Sequence, residues 1–307
     1  MIIIKVNGGL GNQLQQYALY EKFSSLGRTA KLDLSWFQRE NKNRELELEY
    51  FPNVEYQACT KQEYQSIVGK EVGLGKYLNK LSQKTGFKEK PVYIENQMYD
   101  EGIFDLENKV LEGYWACEAY YADILSDLRA KLKFPFSNNP LNVEMLQQIN
   151  SCNAISLHLR RGDYLEKENQ EMFGGICTDA YYESAISYVC EKTENPHFFV
   201  FSDDPTYAEE IYGKTALDKY PDATFTIVDI NHGKDSFFDM MLMSQCKHQI
   251  CANSTFSFWG VRLCDTPKGI KIRPLKQKNH CDWYTPESMK RLWCGWTLID
   301  EFGKIIE

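Results

Sequence analysis

The chain has 307 residues, of which 43% are hydrophobic and 14% aromatic, so it is long enough for one large globular domain or two of ordinary size. Its 35 Lys and Arg residues and 43 Asp and Glu residues give a formal net charge of −8, which argues against general nucleic-acid binding because that depends on a broad basic field. No stretch approaches the about 20 apolar residues of a membrane span, and the first residues do not form a signal peptide. Ten cysteines without a CxxC pair or zinc spacing predict reduced thiols in a cytoplasmic protein and no metal site.

The N-terminal part has the pattern of an α/β domain. The apolar run Ile2–Val6 predicts a strand, the glycine-rich turn NGGLG follows it, and the amphipathic stretch Asn12–Leu26 predicts a helix. A second strand is predicted at Thr29–Leu34, whereas residues 36–110 have weak periodicity and are expected to form helices and irregular segments. Two further elements are predicted here, a strand at Lys109–Tyr114 and a helix at Asp123–Leu132.

The turn-rich segment FPFSNNP at 134–140 predicts a linker between an N-terminal domain, 1–140, and a C-terminal domain, 141–307. Strands and helices alternate after the linker, which predicts a parallel sheet with right-handed crossovers. The predicted strands are Ala154–Leu159, His197–Phe201, Phe225–Val228 and His248–Cys251. The predicted helices are Thr178–Lys192, Tyr207–Ile211 and Ser236–Gln245. We therefore expect an α/β protein of two facing Rossmann-like domains with parallel sheets and a cleft between them.

The loop NGGLGNQ, at 7–13, is the first of four segments that follow predicted strands, where ligands of parallel sheets bind. Glycines let a backbone approach a ligand, and the N-terminus of the next helix offers unpaired N–H groups to an anion. Gly9 and Gly11 match the start of the dinucleotide pattern G-x-G-x-x-G, but Leu14 occupies the third glycine position. Asp33 lies about where a ribose-binding acid is expected, so a nicotinamide site and a structural turn both stay open.

The second segment, SLHLRRGDYL at 156–165, places two arginines at the end of a predicted strand. Side chains alternate between the faces of a strand, so His158 and Arg160 share one face and Arg161 points to the other. A guanidinium group binds phosphate with a rigid set of donors and stays charged, which makes Arg160 a candidate for anion binding. Arg161 is expected to pair with a carboxylate such as Asp163, and a surface cluster of ion pairs is the alternative.

The third segment, FSDDP at 201–205, places two acids after a strand. Asp203 and Asp204 are candidates for binding a metal, a ribose or a base edge. Capping of the next helix by Asp204 or Ser202 is the structural alternative.

The fourth segment is ANSTFSFWG at 252–260. Ser254 and Thr255, with the backbone N–H groups of a helix start, predict a second anion site, and Phe256 is expected to be a core or stacking residue. Anion-binding groups without a metal cluster indicate a diphosphate that is held by protein groups alone. Chemistry at a diphosphate leaving group would follow from that arrangement.

Three of these motifs, GGLGNQ, HLRRGDY and ANSTFSFWG, occur in the order in which they resemble the bacterial α-1,2-fucosyltransferases of glycosyltransferase family 11. The pattern HxRRxD with a later S/T-F segment is shared with α-1,6- and protein O-fucosyltransferases, whereas GGLGNQ together with RRGDY favours the α-1,2 family. One departure is visible, because Leu14 and Gln15 stand where the family commonly has Met-Phe. That difference bears on the preference for the acceptor.

The resemblance implies a GT-B-like fold, GDP-β-L-fucose as the donor, inversion at the anomeric carbon and no required metal or other cofactor. The implied donor-binding residues are the loop Gly9–Gly11 with Asn12 near the pyrophosphate or fucose, and His158 against the nucleotide. Arg160 would hold the β-phosphate and stabilise the departing GDP. Three residues would close the phosphate site: Ser254, Thr255 and Phe256. A carboxylate suits guanine because it accepts from N1–H and N2–H together, and the candidates are Asp239, by its spacing, and Asp203.

The resemblance also implies a galactose-terminated oligosaccharide as the acceptor, with its O2 as the nucleophile and an O-antigen- or capsule-type glycan as the product. The candidates for the catalytic base are Asp163, Glu166 and Glu168, unless the leaving diphosphate takes the proton. No nucleic-acid partner is expected. The oligomeric state and a peripheral contact with the inner face of a membrane stay open.

Three alternatives remain at this point. The first is a fucosyltransferase of another linkage. The second is a nicotinamide-dependent oxidoreductase built on GGLG and Asp33, which would leave Arg160 and the NSTF segment unexplained. The third is a nucleotide-sugar-binding module without catalytic activity.

Overall fold

The structure is a computed structural model that describes residues 1–38, 44–69, 90–213, 215–266 and 268–306. Within these ranges the side chains of residues 163, 165, 168, 215 and 217 are not described, so the predicted sites at Asp163 and Glu168 lie outside the described side chains. The chain divides into two compact units, Met1–Lys133 and Phe134–Glu307. The segment 134–140, which the sequence indicates as a linker, falls in the second unit.

The first unit is built on a four-stranded sheet. Its strands are β1 (Ile2–Lys5), β2 (Ala30–Asp33), β3 (Val92–Ile94) and β4 (Lys109–Glu112), and its described helices are α1 (Leu10–Ser25), α2 (Lys61–Val68) and α3 (Leu125–Lys131). The strands lie in the order β2-β1-β4-β3, and all pairs are parallel. Ile2, Ile3 and Ile4 of the inner strand β1 are completely buried, as expected when both faces of a parallel sheet are covered.

Two buried glutamines connect α1 to the loops at the carboxyl edge of this sheet. Gln16 donates from Nε2 to the carbonyl oxygen of Gly113 at 3.0 Å, and its Oε1 accepts the N–H of Asn7 at 3.0 Å. Gln15 donates from Nε2 to the carbonyl oxygen of Tyr114 at 3.0 Å. Buried amide groups are stable when they are hydrogen-bonded in this way. The polar side of α1 therefore fixes the loops that follow β1 and β4.

The second unit is built on a seven-stranded sheet. Its strands are β5 (Asn153–Leu159), β6 (Pro196–Ser202), β7 (Thr224–Val228), β8 (His248–Ile250), β9 (Lys271–Pro274), β10 (Thr297–Ile299) and β11 (Ile305–Ile306). Its described helices are α4 (Pro140–Ser151), α5 (Lys167–Phe173), α6 (Asp179–Lys192), α7 (Pro205–Tyr212), α8 (Thr215–Lys219), α9 (Phe237–Gln245), α10 (Thr255–Leu263) and α11 (Pro286–Leu292). The strand order is β11-β10-β9-β8-β5-β6-β7, and only the pair β10–β11 of the described strands is antiparallel. Two hydrophobic clusters share β5, one through Ile155 and Leu157 and the other through Ala154.

These two sheets confirm the predicted α/β class and the presence of parallel sheets in both halves of the chain. The residue pattern does not predict β3, because three residues are too few to show a period. It does not predict α4 either, because NNP is typical of a turn as well as of a helix start. In the structure Asn139 caps α4 by accepting the N–H of Leu141 at 3.0 Å, and Pro140 is the first helical residue.

The cysteines form no disulfide among the described residues. All ten lie in the described ranges and are free thiols. Four of them are buried, where a thiol packs as a small apolar group: Cys117, Cys246, Cys251 and Cys264. No helix among the described residues is long and apolar enough to cross a membrane.

A buried histidine links β8 to the segment before β9 and makes stability depend on pH. The Nδ1 atom of His248 accepts the N–H of Ile270 at 2.9 Å. Burial, with the charge of Lys247 as the second cause, lowers the pKa of His248 from 6.5 to about 4. The unfolded chain therefore binds a proton at a higher pH than the folded chain, so this stabilisation is complete above pH 6.5 and is lost as the pH falls towards 4.

We expect His248→Asn, which keeps an acceptor, to flatten the acid loss of the free energy of unfolding, measured by urea denaturation between neutral pH and pH 4. The control is His280→Asn, because the side chain of His280 is 74% exposed and its variant should follow the wild-type slope. Equal slopes for the wild type and His248→Asn would contradict this account.

Candidate functional site

The carboxyl ends of β5, β6, β7 and β8 lie side by side at one edge of the seven-stranded sheet. From β5 the chain continues to β6 and β7 on one side, whereas β8 pairs with β5 on the other. Ligands of parallel sheets bind outside the carboxyl ends where the strand order reverses, which here is between β5 and β8. The loops that begin at this point contain Arg160 and Ser254.

The carboxylate of Asp203, at the end of β6, organises the loop after β5. Its Oδ2 lies 2.7 Å from Nη1 of Arg160, and its Oδ1 accepts the N–H of Arg161 at 2.8 Å. A Cβ atom at Gly162 would collide with the same carboxylate, so a larger residue at that position would displace Asp203 from its place beside Arg160. Arg160 is thus oriented by an acid from the neighbouring strand, with about a quarter of its side chain exposed.

Arg161 has a different set of partners. Its Nε lies 3.5 Å from Oδ2 of Asp204, and its guanidinium group lies 3.6 Å from the ring centroid of Tyr207. Asp204 is also the N-cap of α7, because its Oδ1 accepts the N–H of Tyr207 at 3.1 Å. The capping alternative is therefore correct for Asp204, and the carboxylate that the structure gives to Arg161 is Asp204. The side chain of Asp163, the partner suggested by the sequence, is outside the described part.

His158 is buried beside this loop. Its ring centroid lies 6.0 Å from that of Phe256, its carbonyl oxygen accepts the hydroxyl of Tyr182 at 3.0 Å, and its Nδ1 has no hydrogen-bond partner among the described residues. Burial, followed by the positive charge of Arg160, lowers the pKa of His158 to about 3. The imidazole is therefore neutral at pH 7.

The start of α10 lies directly after β8. Ser254 is its N-cap and accepts the N–H of Phe256 at 3.3 Å, while Thr255 is the first residue of the helix. Ser254 is buried, and Thr255 and Phe256 are partly exposed. The N-terminus of a helix carries a partial positive charge, so the predicted Ser-Thr-Phe group is placed where an anion would be stabilised.

Tyr164 and Asn253 join the loops after β5 and β8. The hydroxyl of Tyr164 donates to the carbonyl oxygen of Asn253 at 3.2 Å, and its ring lies 5.5 Å from the guanidinium of Arg160. Asn253 is buried and donates from Nδ2 to the carbonyl oxygens of Phe173 at 3.1 Å and Gln277 at 3.2 Å. Both residues stand inside the quoted motifs, but only the contacts between loops reveal that they hold the site together.

Asp239 lies in the first turn of α9, which follows β7 at the same edge of the sheet. Its Oδ1 accepts a hydrogen bond from Nδ2 of Asn231 at 2.8 Å, and Asn231 in turn bonds to Asn142. Burial raises the pKa of Asp239 to about 7, the hydrogen bond from Asn231 opposes that rise, and Asp229 adds to it. Asp239 is therefore a carboxyl group that titrates near neutral pH. Asp203, in contrast, is bonded to Arg160 and Arg161 of the loop after β5, which we call the arginine loop.

The glycine-rich loop of the first unit differs from the dinucleotide pattern. Gly8 has the positive φ of +80°, whereas Gly9 is the N-cap of α1 in an extended conformation and Gly11 is buried within the helix. The side chain of Asn12 lies where a Cβ of Gly8 would be, so this turn needs glycine at position 8. The N–H of Leu10 is bonded to the carboxylate of Glu47, a residue that the sequence did not indicate.

The remaining predicted acid of the loop after β5, Glu166, is exposed and occupies the N-cap position of α5 without a side-chain cap. Glu168 belongs to the residues whose side chains are not described. Across the described ranges, no group of three or more His, Cys, Asp and Glu side chains is arranged to hold a metal ion.

Comparison with known proteins identifies the family. The model of the family "Glycosyl transferase family 11" matches residues 97–298, which include the loops after β5, β6 and β8. The "Alpha-1,2-colitosyltransferase" of Escherichia coli is 29% identical over 89% of this chain and 91% of its own length. The "O-antigen biosynthesis glycosyltransferase WbnK" of Escherichia coli is 28% identical over 94% of this chain and 96% of its own length. The "Galactoside alpha-(1,2)-fucosyltransferase 1" of Homo sapiens is 30% identical over 36% of this chain and 28% of its own length.

This match confirms the resemblance that the three motifs indicated. The protein is therefore an enzyme of sugar transfer, and the alternatives of a dehydrogenase and of a binding module without catalytic activity are wrong. The matched region contains Arg160, Asp203 and Ser254, which surround the reversal point of the second sheet. The chain belongs to glycosyl transferase family 11 and is a glycosyltransferase.

Proposed function

We propose that this enzyme transfers L-fucose from GDP-β-L-fucose to O2 of a terminal β-galactose of an O-antigen- or capsule-type glycan, with inversion at C1 and without a metal ion. The observation that carries the proposal is the guanidinium of Arg160 at the reversal point of the sheet, held by Asp203. The α-1,2 linkage is supported by the names of two relatives, which state α-1,2-fucosyl and α-1,2-colitosyl transfer.

In the proposed reaction the acceptor hydroxyl attacks C1 of fucose from the face opposite GDP. The bond between C1 and the β-phosphate oxygen breaks, and negative charge develops on the diphosphate. Arg160 and the N-terminus of α10 stabilise that charge electrostatically. Among the contributions to catalysis of such a step, stabilisation by fixed charges and dipoles is the largest single one. His158 is neutral and contributes its ring face and Nδ1 to the nucleotide. The proton of the acceptor moves to Asp163, to Glu168 or to the departing diphosphate.

We assign the recognition of the guanine base to Asp239. A carboxylate recognises guanine by accepting from N1–H and N2–H. Both oxygens of Asp203 are used within the arginine loop, whereas the hydrogen bond that Asp239 accepts from the amide of Asn231 engages Oδ1 alone. Asp239 must be ionised for this contact, so its raised pKa makes guanine binding depend on pH near neutrality.

A second candidate donor is GDP-colitose. It is favoured by the Escherichia coli relative named for α-1,2-colitosyl transfer, which aligns with 89% of this chain. Both donors would use the same diphosphate and guanine contacts, so the two candidates differ only at the sugar ring.

We expect Arg160→Ala to lower the rate of GDP release with donor and acceptor by roughly 10²–10³, because one preorganised donor to the leaving group is lost. Arg160→Lys should recover part of the rate, since it keeps the charge but not the two-pronged geometry. Circular dichroism and a thermal melt verify that the variants are folded.

The matched control is Arg161→Ala, which removes the neighbouring guanidinium but leaves the ion pair of Arg160 with Asp203 intact. This variant should be less stable and keep the rate within about tenfold of wild type. A folded Arg160→Ala enzyme with near wild-type turnover would rule out the assigned role.

Asp239→Asn is expected to remove the preference for GDP over inosine diphosphate, which lacks the 2-amino group. Wild type should bind GDP about tenfold or more tightly than inosine diphosphate, since a hydrogen bond to a charged group is lost. The wild-type affinity for GDP should fall as the pH drops below 7, because the carboxylate becomes protonated, and the variant should lack this dependence. Calorimetry measures both the preference for GDP over inosine diphosphate and the pH dependence of GDP binding, with Asp203→Asn as the comparison variant. If Asp239→Asn still prefers GDP over inosine diphosphate, Asp239 does not recognise the guanine.

One assay tests both the identity of the acceptor and the independence of the reaction from metal ions. With GDP-fucose and EDTA, we expect transfer to one or more of lactose, lacto-N-biose, N-acetyllactosamine and galactosyl-β-1,3-GalNAc, with a product that nuclear magnetic resonance identifies as α-1,2-linked. GDP-colitose is the parallel donor. Loss of all transfer on chelation, restored by a divalent cation, would contradict metal independence.

A further inference from the structure

Three buried polar side chains form a hydrogen-bonded network that ends at Asp239. Ser137 lies in the segment FPFSNNP, Asn142 lies in α4, and Asn231 lies between β7 and α9. All three are buried, whereas the side chain of Asp239 is partly exposed, so a ligand can reach it. We call Ser137, Asn142 and Asn231 the polar network. The segment that the sequence indicates as a linker thus takes part in the surroundings of Asp239.

The two amides of the polar network are paired with each other. Nδ2 of Asn142 donates to Oδ1 of Asn231 at 2.8 Å, and Nδ2 of Asn231 donates to Oδ1 of Asn142 at 2.9 Å. Nδ2 of Asn142 also donates to Oγ of Ser137 at 3.0 Å, and Nδ2 of Asn231 also donates to Oδ1 of Asp239 at 2.8 Å. Both hydrogens of each amide are therefore used, as buried amide groups require.

This arrangement places an N–H group, and not a carbonyl oxygen, against the carboxylate of Asp239. A hydrogen bond from a neutral donor stabilises the charged form of a carboxyl group, and here it opposes the rise in pKa that burial causes. If both amides turned over, the oxygen of Asn231 would face the carboxylate and repel it. The polar network therefore favours an ionised Asp239 in one orientation.

The charge on the elements around Asp239 does not replace this hydrogen bond. The ionisable side chains on the elements packed against α9 are Glu144, His197, Asp229, His232, Lys234, Asp235 and Arg262. Among these described residues, Asp229 is the one that acts on the pKa of Asp239, and it raises this pKa. The donor that stabilises the ionised form is thus the amide of Asn231.

We propose that Asn231, held by Asn142 and Ser137, is a positioning residue for the recognition of guanine by Asp239, an inference that rests on the proposed function. The network orients the carboxylate before the nucleotide arrives, so that N1–H and N2–H of the base meet a fixed acceptor. Such preorganisation lowers the entropic cost of binding. The role needs no contact between Asn231 and the base, because Asn231 acts through Asp239.

The first measurement needs no ligand. The pKa of Asp239 is followed by nuclear magnetic resonance of the full chain with carboxyl-labelled aspartate, and Asp239→Asn identifies its signal. We expect Asn231→Leu to raise the pKa of Asp239 from about 7 by about 1 or more, because a hydrogen bond to the charged form is lost. Asn142→Ala, which leaves Asn231 free to turn, should raise this pKa less.

The matched control is Asn153→Leu, which removes an amide bonded to the carbonyl oxygen of Glu194 at the start of β5. This variant should keep the wild-type pKa of Asp239. A thermal melt identifies the variants that are folded. A pKa of Asp239 that stays at the wild-type value in every folded variant of Asn231 and Asn142 would overturn the inference.

The second measurement is GDP binding by calorimetry at pH 7 and pH 9. We expect Asn231→Leu to weaken binding about fivefold at pH 7, which is the change that a pKa rise of about 1 gives to the ionised fraction, and to recover part of this loss at pH 9. The double variant with Asp239→Asn should bind GDP as Asp239→Asn alone does. An equal loss at both pH values, or a further loss in the double variant, would mean a merely structural role and overturn the inference.

The outcomes separate this inference from the proposed function. If Asp239→Asn loses the preference for GDP over inosine diphosphate but Asn231→Leu binds GDP as wild type does, the role of Asn231 is wrong and the proposed function stands. If Asp239→Asn keeps that preference, the assignment of guanine to Asp239 is wrong, and the positioning role of Asn231 is refuted with it.

Discussion

The ion pair between Arg160 and Asp203 is the interaction on which the site of the second unit depends. One carboxylate orients the guanidinium of Arg160, accepts the N–H of Arg161 and occupies the space that Gly162 leaves free. The pair is only partly buried, so its own contribution to stability is small. Its effect is instead to reduce the rotamer freedom of Arg160 before a ligand arrives, which lowers the entropic cost of gripping an anion. A chain of net charge −8 can in this way keep a local positive group at one strand end.

At the same edge of the sheet, burial sets the protonation states of two titratable groups, His158 and Asp239. His158 is neutral at pH 7 because burial and Arg160 both disfavour its charged form, and its Nδ1 has no partner among the described residues. Burial raises the pKa of Asp239 to about 7, so the folded protein holds the proton of this carboxyl group more strongly than the unfolded chain does. The free energy of unfolding therefore falls as the pH rises through about 7. In the proposed function, a guanine that donates two hydrogen bonds to Asp239 would offset this cost. His158 and Asp239 are thus polar groups that the proposed nucleotide would satisfy.

The ends of β1, β2, β5, β6, β7 and β8 were predictable from the sequence because buried parallel strands are continuous apolar runs, such as Ile2–Ile4, that stop at polar motifs. The short strands β3, β9, β10 and β11 were not predicted. The alternation of side chains along β5 was also enough to separate Arg160 from Arg161. Their partners were not predictable, because Asp203 and Asp204 lie about forty residues further along the chain and meet the loop only through the pairing of β5 and β6. The requirement for Gly8 follows from its φ of +80°, a property of the folded turn that the dinucleotide pattern of glycines does not encode.

The two reversal points of the chain differ in charge, and this difference bears on where the diphosphate of the proposed donor would bind. In the second unit Arg160 and Arg161 each lie beside a carboxylate, of Asp203 and Asp204, and the start of α10 adds the partial positive charge of a helix N-terminus. In the first unit, where the strand order reverses between β1 and β4, Asp33 and Glu112 flank Lys5, and the N-terminus of α1 is met by Glu47 of the protein itself. A diphosphate placed there would face like charges. For the diphosphate of the proposed donor, the loop of Arg160 and the start of α10 are therefore a more favourable place than the N-terminus of α1.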